Sequence, residues 1–291
     1  MLRTALVLVA GLFTPPATVF VVETAGVNGL SGLAPSGPGR ALAVAERERA
    51  LIEFTLPGPD GPPRRLGAPL RLEGVGADEE TEDLAALSEP DQFVLVTERQ
   101  AAGAAEEFFL FAERRADALV VTRRVAVDLR ATWGLEAAAN AGLEGVCAVG
   151  DHVIAALETV VPTDGGRAAP LVVLNRRTGA LVGSRVRLTS ETGKLSALTC
   201  RVATAGAVEV VAIERHYGVG RLVGFTLDPV RPAPMLSARV LRDFSSALDP
   251  LPNPEGLMRL AAPPDRFLIL TDNDSGRGID VTRMIVLDAP P

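Results

Sequence analysis

Four glutamates and one aspartate close comparable apolar runs along the chain: Glu46, Glu98, Glu158, Glu214 and Asp272. If those runs are equivalent strands, the carboxylates share one rim, and calcium takes such oxygens in flexible geometry. Three of them are followed by arginine, at Arg47, Arg99 and Arg215. These arginines can bind an anionic substrate, or they can tie neighbouring repeats together through ion pairs. Glu144 and Glu255 start equivalent strands of two repeats, where paired carboxylates can divide acid and base roles or simply brace a backbone turn. The segment from Asp272 through Asp274 to Asp280 alternates oxygen side chains ahead of Gly276. That is the first half of a calcium loop without its closing glutamate, and an Asx-rich turn accounts for the same residues.

Other chemistries lack their residues. The sequence contains no Gly-x-Ser-x-Gly elbow and no phosphate-cradling glycine loop. The two histidines, His152 at a strand start and His216 in a loop, are expected on the solvated surface. Cys147 and Cys200 stand far from any metal-ligand spacing; two buried free thiols are the favoured expectation, with a disulfide as the alternative.

The elements that would carry these residues repeat. Five segments share one order, a small turn motif, an apolar strand, then a second apolar strand ending in the acidic residue. The acidic ends lie 52, 60, 56 and 58 residues apart, which suits a four-stranded blade with variable loops. Third strands follow at Ala50 to Leu56, Glu107 to Ala112, Pro170 to Leu174, Arg221 to Leu227 and Arg283 to Leu287. Fourth strands follow at Arg65 to Leu72, Leu181 to Leu188 and Met235 to Leu241. Only Ala101 to Arg115 has a helical composition, and its Phe108, Phe109 and Phe111 fit the expected third strand better. The expected fold is all-β, a single β-propeller of five four-stranded blades, with six as the alternative. The fifth repeat lacks a fourth strand, and Thr18 to Thr24 can supply it and close the ring.

The phrases Asn140-Ala-Gly-Leu-Glu-Gly-Val146, Asn253-Pro-Glu-Gly-Leu257 and Phe267-Leu-Ile-Leu-Thr-Asp-Asn-Asp274 resemble those of the phytase-like propellers, the family named for an esterase-like activity of phytase. The other repeats carry Ser31-Gly32, Ala85-Ala86 and Ser196-Ala197 at the corresponding place. The resemblance implies a secreted or envelope protein with metal-assisted phosphoesterase or esterase activity and bound calcium. A propeller that only binds a small ligand or a protein at its central mouth is the alternative.

Composition bounds the partners. With 47% hydrophobic residues the chain can bury a large core, and aromatics at 4% leave that core to Val, Leu and Ala. A formal charge of −7 and a single lysine, Lys194, exclude a nucleic-acid surface. The expected partner is a small anionic ligand or a protein, and the chain is expected to be a monomer without a transmembrane helix. Residues 1 to 17 read either as a short secretory signal, with an apolar run from Thr4 to Phe13, or as an extra strand. Residues 18 to 291 then form the single domain, periplasmic or secreted if the signal is real and cytoplasmic otherwise.

Overall fold

Runs such as Phe267-Leu-Ile-Leu270 are apolar at every position, and a strand apolar on both faces must lie between two layers. The computed structural model places them so. It describes residues 17–58, 61–99, 105–136, 139, 141–216, 218–245, 253–260, 265–272 and 281–288. The proposed signal segment up to residue 16, together with Asp274 and Asp280, lies outside the described residues.

The antiparallel pairings fall into five successive units, the first two joined into one eight-stranded sheet by parallel pairing of Arg71, Leu72 and Glu73 with Ala118, Leu119 and Val120. The first contains β2 (Leu30–Gly37), β3 (Arg40–Ala45), β4 (Ala50–Thr55) and β5 (Arg65–Glu73). The second contains β6 (Glu79–Ala86), β7 (Gln92–Arg99), β8 (Glu106–Arg115) and β9 (Ala118–Asp128). A single turn of helix, α1 (Leu129–Trp133), leads to the third: β10 (Leu143–Val149), β11 (His152–Leu157), β13 (Gly166–Asn175) and β14 (Leu181–Arg187), with short β12 (Val161–Thr163) paired to β13. The fourth contains β15 (Lys194–Val202), β16 (Val208–His216), β17 (Val219–Leu227) and β19 (Arg239–Asp243). The last contains β20 (Pro254–Leu260), β21 (Arg266–Thr271) and β22 (Arg283–Asp288), and its fourth strand is β1 (Thr18–Val21).

The innermost strands touch in a closed cycle, β2 to β6 to β10 to β15 to β20 and back to β2. Between each consecutive pair of units lies one hydrophobic cluster. Val94, Phe109, Val153 and Val172 meet between the second and third, and Ala43, Ile52, Leu268 and Met284 between the last and first. Three comparable clusters fill the other gaps. Each sheet therefore buries both of its faces, which is why its middle strands carry no polar alternation.

The inner strands crowd at the axis. A Cβ on Gly32 would stand 2.5 Å from the Asp83 Cα, and one on Gly256 would stand 2.5 Å from the Ser31 carbonyl oxygen. Gly145 and Ala197 occupy the matching places on β10 and β15, so four of five are the smallest residues available. The fifth is Asp83, which fills the axis. Its Oδ1 accepts the Leu84 N–H and its Oδ2 the Val146 N–H, each at 2.8 Å, and it also takes the N–H groups of Leu33 and Leu198. Burial pushes this carboxyl up, and the four amide donors pull it back.

Several sequence expectations need correcting. Cys147 and Cys200 are not free thiols; they form a disulfide between β10 and β15, with Cα atoms 5.7 Å apart. Their 53-residue separation concealed that they lie on neighbouring inner strands. Met235 to Leu241 is not one strand: β18 (Leu236–Ser237) pairs in parallel with β14, and β19 completes the fourth unit. His216 ends β16 rather than lying in a loop. The segment before Arg115 is strand from Glu106 onward. The N-terminal strand spans Thr18–Val21, shorter than expected, and pairs antiparallel with β22, Thr18 against Val286 and Val21 against Arg283.

Two outcomes follow. Removing residues through Thr24 exposes the edge of β22 and deletes buried Val22, whose burial is worth about 2 kcal/mol. The thermal midpoint should drop by at least roughly 5 °C, whereas removal of residues 1–16 should leave it unchanged; equal midpoints would refute the closure. Asp83→Asn would turn an amide N–H2 toward converging N–H donors, so urea denaturation should show a loss of about 3 kcal/mol. An unchanged midpoint would mean that the carboxylate does not pin the axis.

Candidate functional site

Each unit begins its inner strand with the same irregularity. The register between first and second strands shifts at Leu30/Leu33, Thr81/Asp83, Leu143/Gly145, Leu195/Ala197 and Pro254/Gly256. A β-bulge leaves one residue unpaired and re-aims its side chain. The bulged positions hold Ser31, Glu82, Glu144, Ser196 and Glu255. Three glutamates thus point from the axis into one mouth; Gly145 and Gly256 after two of them let the strands close beneath, and Asp83 after Glu82 fills the space at the axis.

The second strands end at the same edge. The Glu46, Glu158 and Asp272 N–H groups donate to the carbonyls of Gly29, Gly142 and Asn253, at 2.9, 2.9 and 2.8 Å, and Glu98 pairs with Glu80. In the fourth unit the residue in this register is Arg215, paired with Lys194, and not Glu214. A strand alternates faces, so one residue reverses direction. Glu214 is fully buried on the opposite side, accepting the Thr189 N–H at 3.0 Å and its hydroxyl at 2.7 Å. The rim therefore carries four carboxylates and one guanidinium.

These residues line a cavity of about 440 Å³ containing nine acidic and three basic side chains. Apart from Gly29 every lining residue is polar, and none is aromatic. Glu46, Glu98, Glu158, Asp272, Glu144, Glu255, Arg47 and Arg215 are all brought together there. Arg99 is not among the lining residues; it bonds Asp78 at 2.5 Å on the outer surface. Glu80, Glu82 and Lys194 also line the mouth and escaped the sequence reading. The signal for the two glutamates was the run Glu79-Glu-Thr-Glu-Asp83, because the second repeat aligns on Glu82-Asp83 rather than Ala85-Ala86.

Charge balance within the mouth is uneven. Arg215, 12% exposed, lies 2.7 Å from both oxygens of Glu255 and 3.8 Å from Glu144. Lys194 pairs with Glu158, and Arg47 lies 2.7 Å from Glu80. Carboxylate oxygens fall within 4.8 Å of one another in three groups: Glu46, Glu255 and Asp272; Glu80, Glu82 and Glu98; Glu98, Glu144 and Glu158. Burial, then the charges of Glu255, Asp272 and Glu144, pushes Glu46 up to about 9. Glu98 rises to about 8 through burial and Glu144, against the pull of the Gly142 N–H at 2.8 Å. Burial lifts Glu255 to about 7 although Arg215 opposes it, and burial and four neighbouring glutamates raise Glu82. Burial, then Arg215, lowers Lys194. Such a mouth can hold cations or supply protons from neutral carboxyls.

No protein-family model matches the chain, and no curated protein matches it. Among solved structures, a thermostable family-43 glycoside hydrolase aligns over 91% of this chain and 94% of its own, with 8% identity and a TM-score of 0.52. A protein of unknown function from Dyadobacter fermentans DSM 18053 aligns over 94% and 84%, with 8% identity and a TM-score of 0.51. An aldose sugar dehydrogenase from Streptomyces coelicolor, in its PQQ-bound form, covers 93% and 98% at 11% identity and a TM-score of 0.46. At these identities the likeness to the first two, with TM-scores above 0.5, bears on the fold alone, an all-β propeller.

The raised carboxyls give the mouth a pH signature. Folded chains keep protons at Glu46 and Glu98 that unfolded chains release from pH 4.5 upward, so these groups' contribution to stability falls as pH rises toward about 8 and 9. In chelator, the thermal midpoint should decline from pH 6 to 8.5 more steeply for the wild type than for Glu98→Gln. Parallel curves would show that Glu98 titrates normally.

Proposed function

We propose that this chain is a five-bladed, phytase-like propeller that hydrolyses phosphoesters or other esters with a divalent cation, calcium by preference, held in its acidic mouth. The observation that carries this reading is the convergence of nine acidic side chains on one polar cavity, with carboxylate oxygens close enough to share an ion. Burial first and mutual repulsion second raise these carboxyls, and a bound cation would offset both. A sugar substrate finds no aromatic platform in this lining.

When bound, calcium would draw in the substrate's anionic oxygens and offset the charge that develops on them. The chain's own groups would do the rest. Arg47, 62% exposed at the rim, can turn from Glu80 to a substrate anion. Glu46, held neutral at pH 7 by burial and by neighbouring acids, can protonate a leaving alkoxide. Arg215 holds Glu255 and Glu144 in fixed orientation at the cavity wall. The disulfide supports a periplasmic or secreted location. The alternative, a propeller that binds a ligand or protein without chemistry, draws support from a lining without Ser, Thr, Cys or His among the described residues.

Hydrolysis of p-nitrophenyl phosphate and p-nitrophenyl acetate decides between them. Activity should appear with calcium, vanish in excess chelator, and fall by about 100-fold or more in Glu46→Gln. Arg47→Ala should raise KM for the phosphate more than for the acetate. Turnover that survives exhaustive chelation would sink the metal step, and calcium binding without turnover of either ester would leave the binding role.

A further inference from the structure

Positions that correspond around the ring carry unequal charge, and the inequality locates the cation. The bulged acids are Glu82, Glu144 and Glu255. Arg215 serves two of them, at 3.8 Å from Glu144 and 2.7 Å from Glu255, and it stands where the other units place an acid. Lys194, the chain's only lysine, pairs with Glu158. The two triads containing Glu144, Glu158 or Glu255 therefore already enclose a protein cation.

The third triad differs in its buried acid: Arg47 reaches Glu80 from the rim, and Glu144 Oε2, buried without a hydrogen bond, still has Arg215 at 3.8 Å, but no ion pair reaches Glu82 among the described residues. Glu82 is only 4% exposed, and its Oε1 is buried with no hydrogen-bond partner among the described residues. Such an oxygen costs free energy unless something binds it. Its neighbours are Glu80 and Glu98, with carboxylate oxygens within 4.8 Å of one another. Opposite ligands of a calcium ion at about 2.4 Å stand about 4.8 Å apart, so the three can reach one ion. Backbone positions them: the Gly142 N–H fixes one oxygen of Glu98, and Arg47 engages Glu80 from the rim at 2.7 Å.

We propose that the mouth's divalent cation is held by Glu80, Glu82 and Glu98 of the second unit, in the place that Arg215 fills with its own guanidinium in the fourth. This assignment rests on the reading that the mouth takes a cation, and it names where. The remaining coordination positions face the open cavity, so an ion there meets a substrate entering the mouth.

Isothermal titration of the full chain with calcium chloride at low ionic strength tests the assignment. The wild type should bind one ion per chain; Glu82→Gln should weaken it at least about tenfold, and Glu158→Gln, on the Lys194 side, much less. Thermal melts in chelator serve as the folding control, since Glu82→Gln removes a repulsive group and should melt no lower than wild type. Unchanged affinity in Glu82→Gln, loss of binding in Glu158→Gln instead, or a wild type that binds no calcium would overturn the assignment. The ester assay separates this from the functional reading. Chelator-sensitive turnover with calcium affinity untouched by Glu82→Gln defeats the assignment alone. Calcium lost on Glu82→Gln, with no ester hydrolysed by the wild type, defeats the hydrolase alone.

Discussion

The whole arrangement depends on one buried carboxylate. Asp83 receives backbone N–H groups from Leu33, Leu84, Val146 and Leu198, which belong to four of the five inner strands. A lone buried carboxylate would be expensive, and several amide donors aimed at it are the usual compensation. Only one side chain fits on the axis, so the equivalent residues are Gly32, Gly145, Ala197 and Gly256. Their smallness brings the strands close enough for their amides to reach Asp83. The bulge one residue earlier then has a fixed place and direction, and that is what aims Glu82, Glu144 and Glu255 into the mouth. Fold and site are thus coupled within two consecutive residues of each inner strand.

Above that pin, the mouth concentrates acid far beyond what the chain's formal charge of −7 would suggest. Such crowding opposes folding, and the five apolar clusters between units offset it; each is built mostly from buried Val, Leu, Ile, Ala or Phe. The protein also neutralises part of the mouth itself. Arg215 is well suited to this, because a guanidinium stays charged when buried and can meet two carboxylates at once. The effect is to divide a near-symmetric ring into a self-compensated side and an acidic side.

Much of this was legible in the sequence. The near-constant spacing of Glu46, Glu98, Glu158 and Asp272 marks four rim positions, and unbroken apolar runs such as Leu268 to Leu270 mark strands buried on both faces. The missing last strand pointed to β1. What failed has specific causes. Glu214 and Arg215 are adjacent, and the apolar pattern alone does not say which of two polar residues at a strand end faces the mouth; only the pairing of Lys194 with Arg215 settles it. The second repeat was misaligned because Glu82-Asp83 lacks the glycine that marks its counterparts, and Asp83 replaces that glycine by filling the axis. The Cys147–Cys200 bond required knowing which strands are neighbours in the ring. Burial of Glu82 is a tertiary property that no local pattern encodes.

Asp83 also separates two environments along the axis. On one side lies the wet, acid-lined mouth. On the other, a smaller cavity of about 110 Å³ is lined by Leu33, Leu84, Val146, Leu198 and Leu257, with the disulfide in its wall. The leucines and valine directly follow the pinned positions, so the residues that close the strands around Asp83 also make the floor beneath it apolar. An ion or anionic substrate held in the mouth would lose its solvation on crossing that floor and gain no polar partner in return. Ligands of the mouth must then enter and leave by the same opening. Under the proposed reading, the side chains at that opening, exposed Arg47 among them, would govern exchange as well as binding.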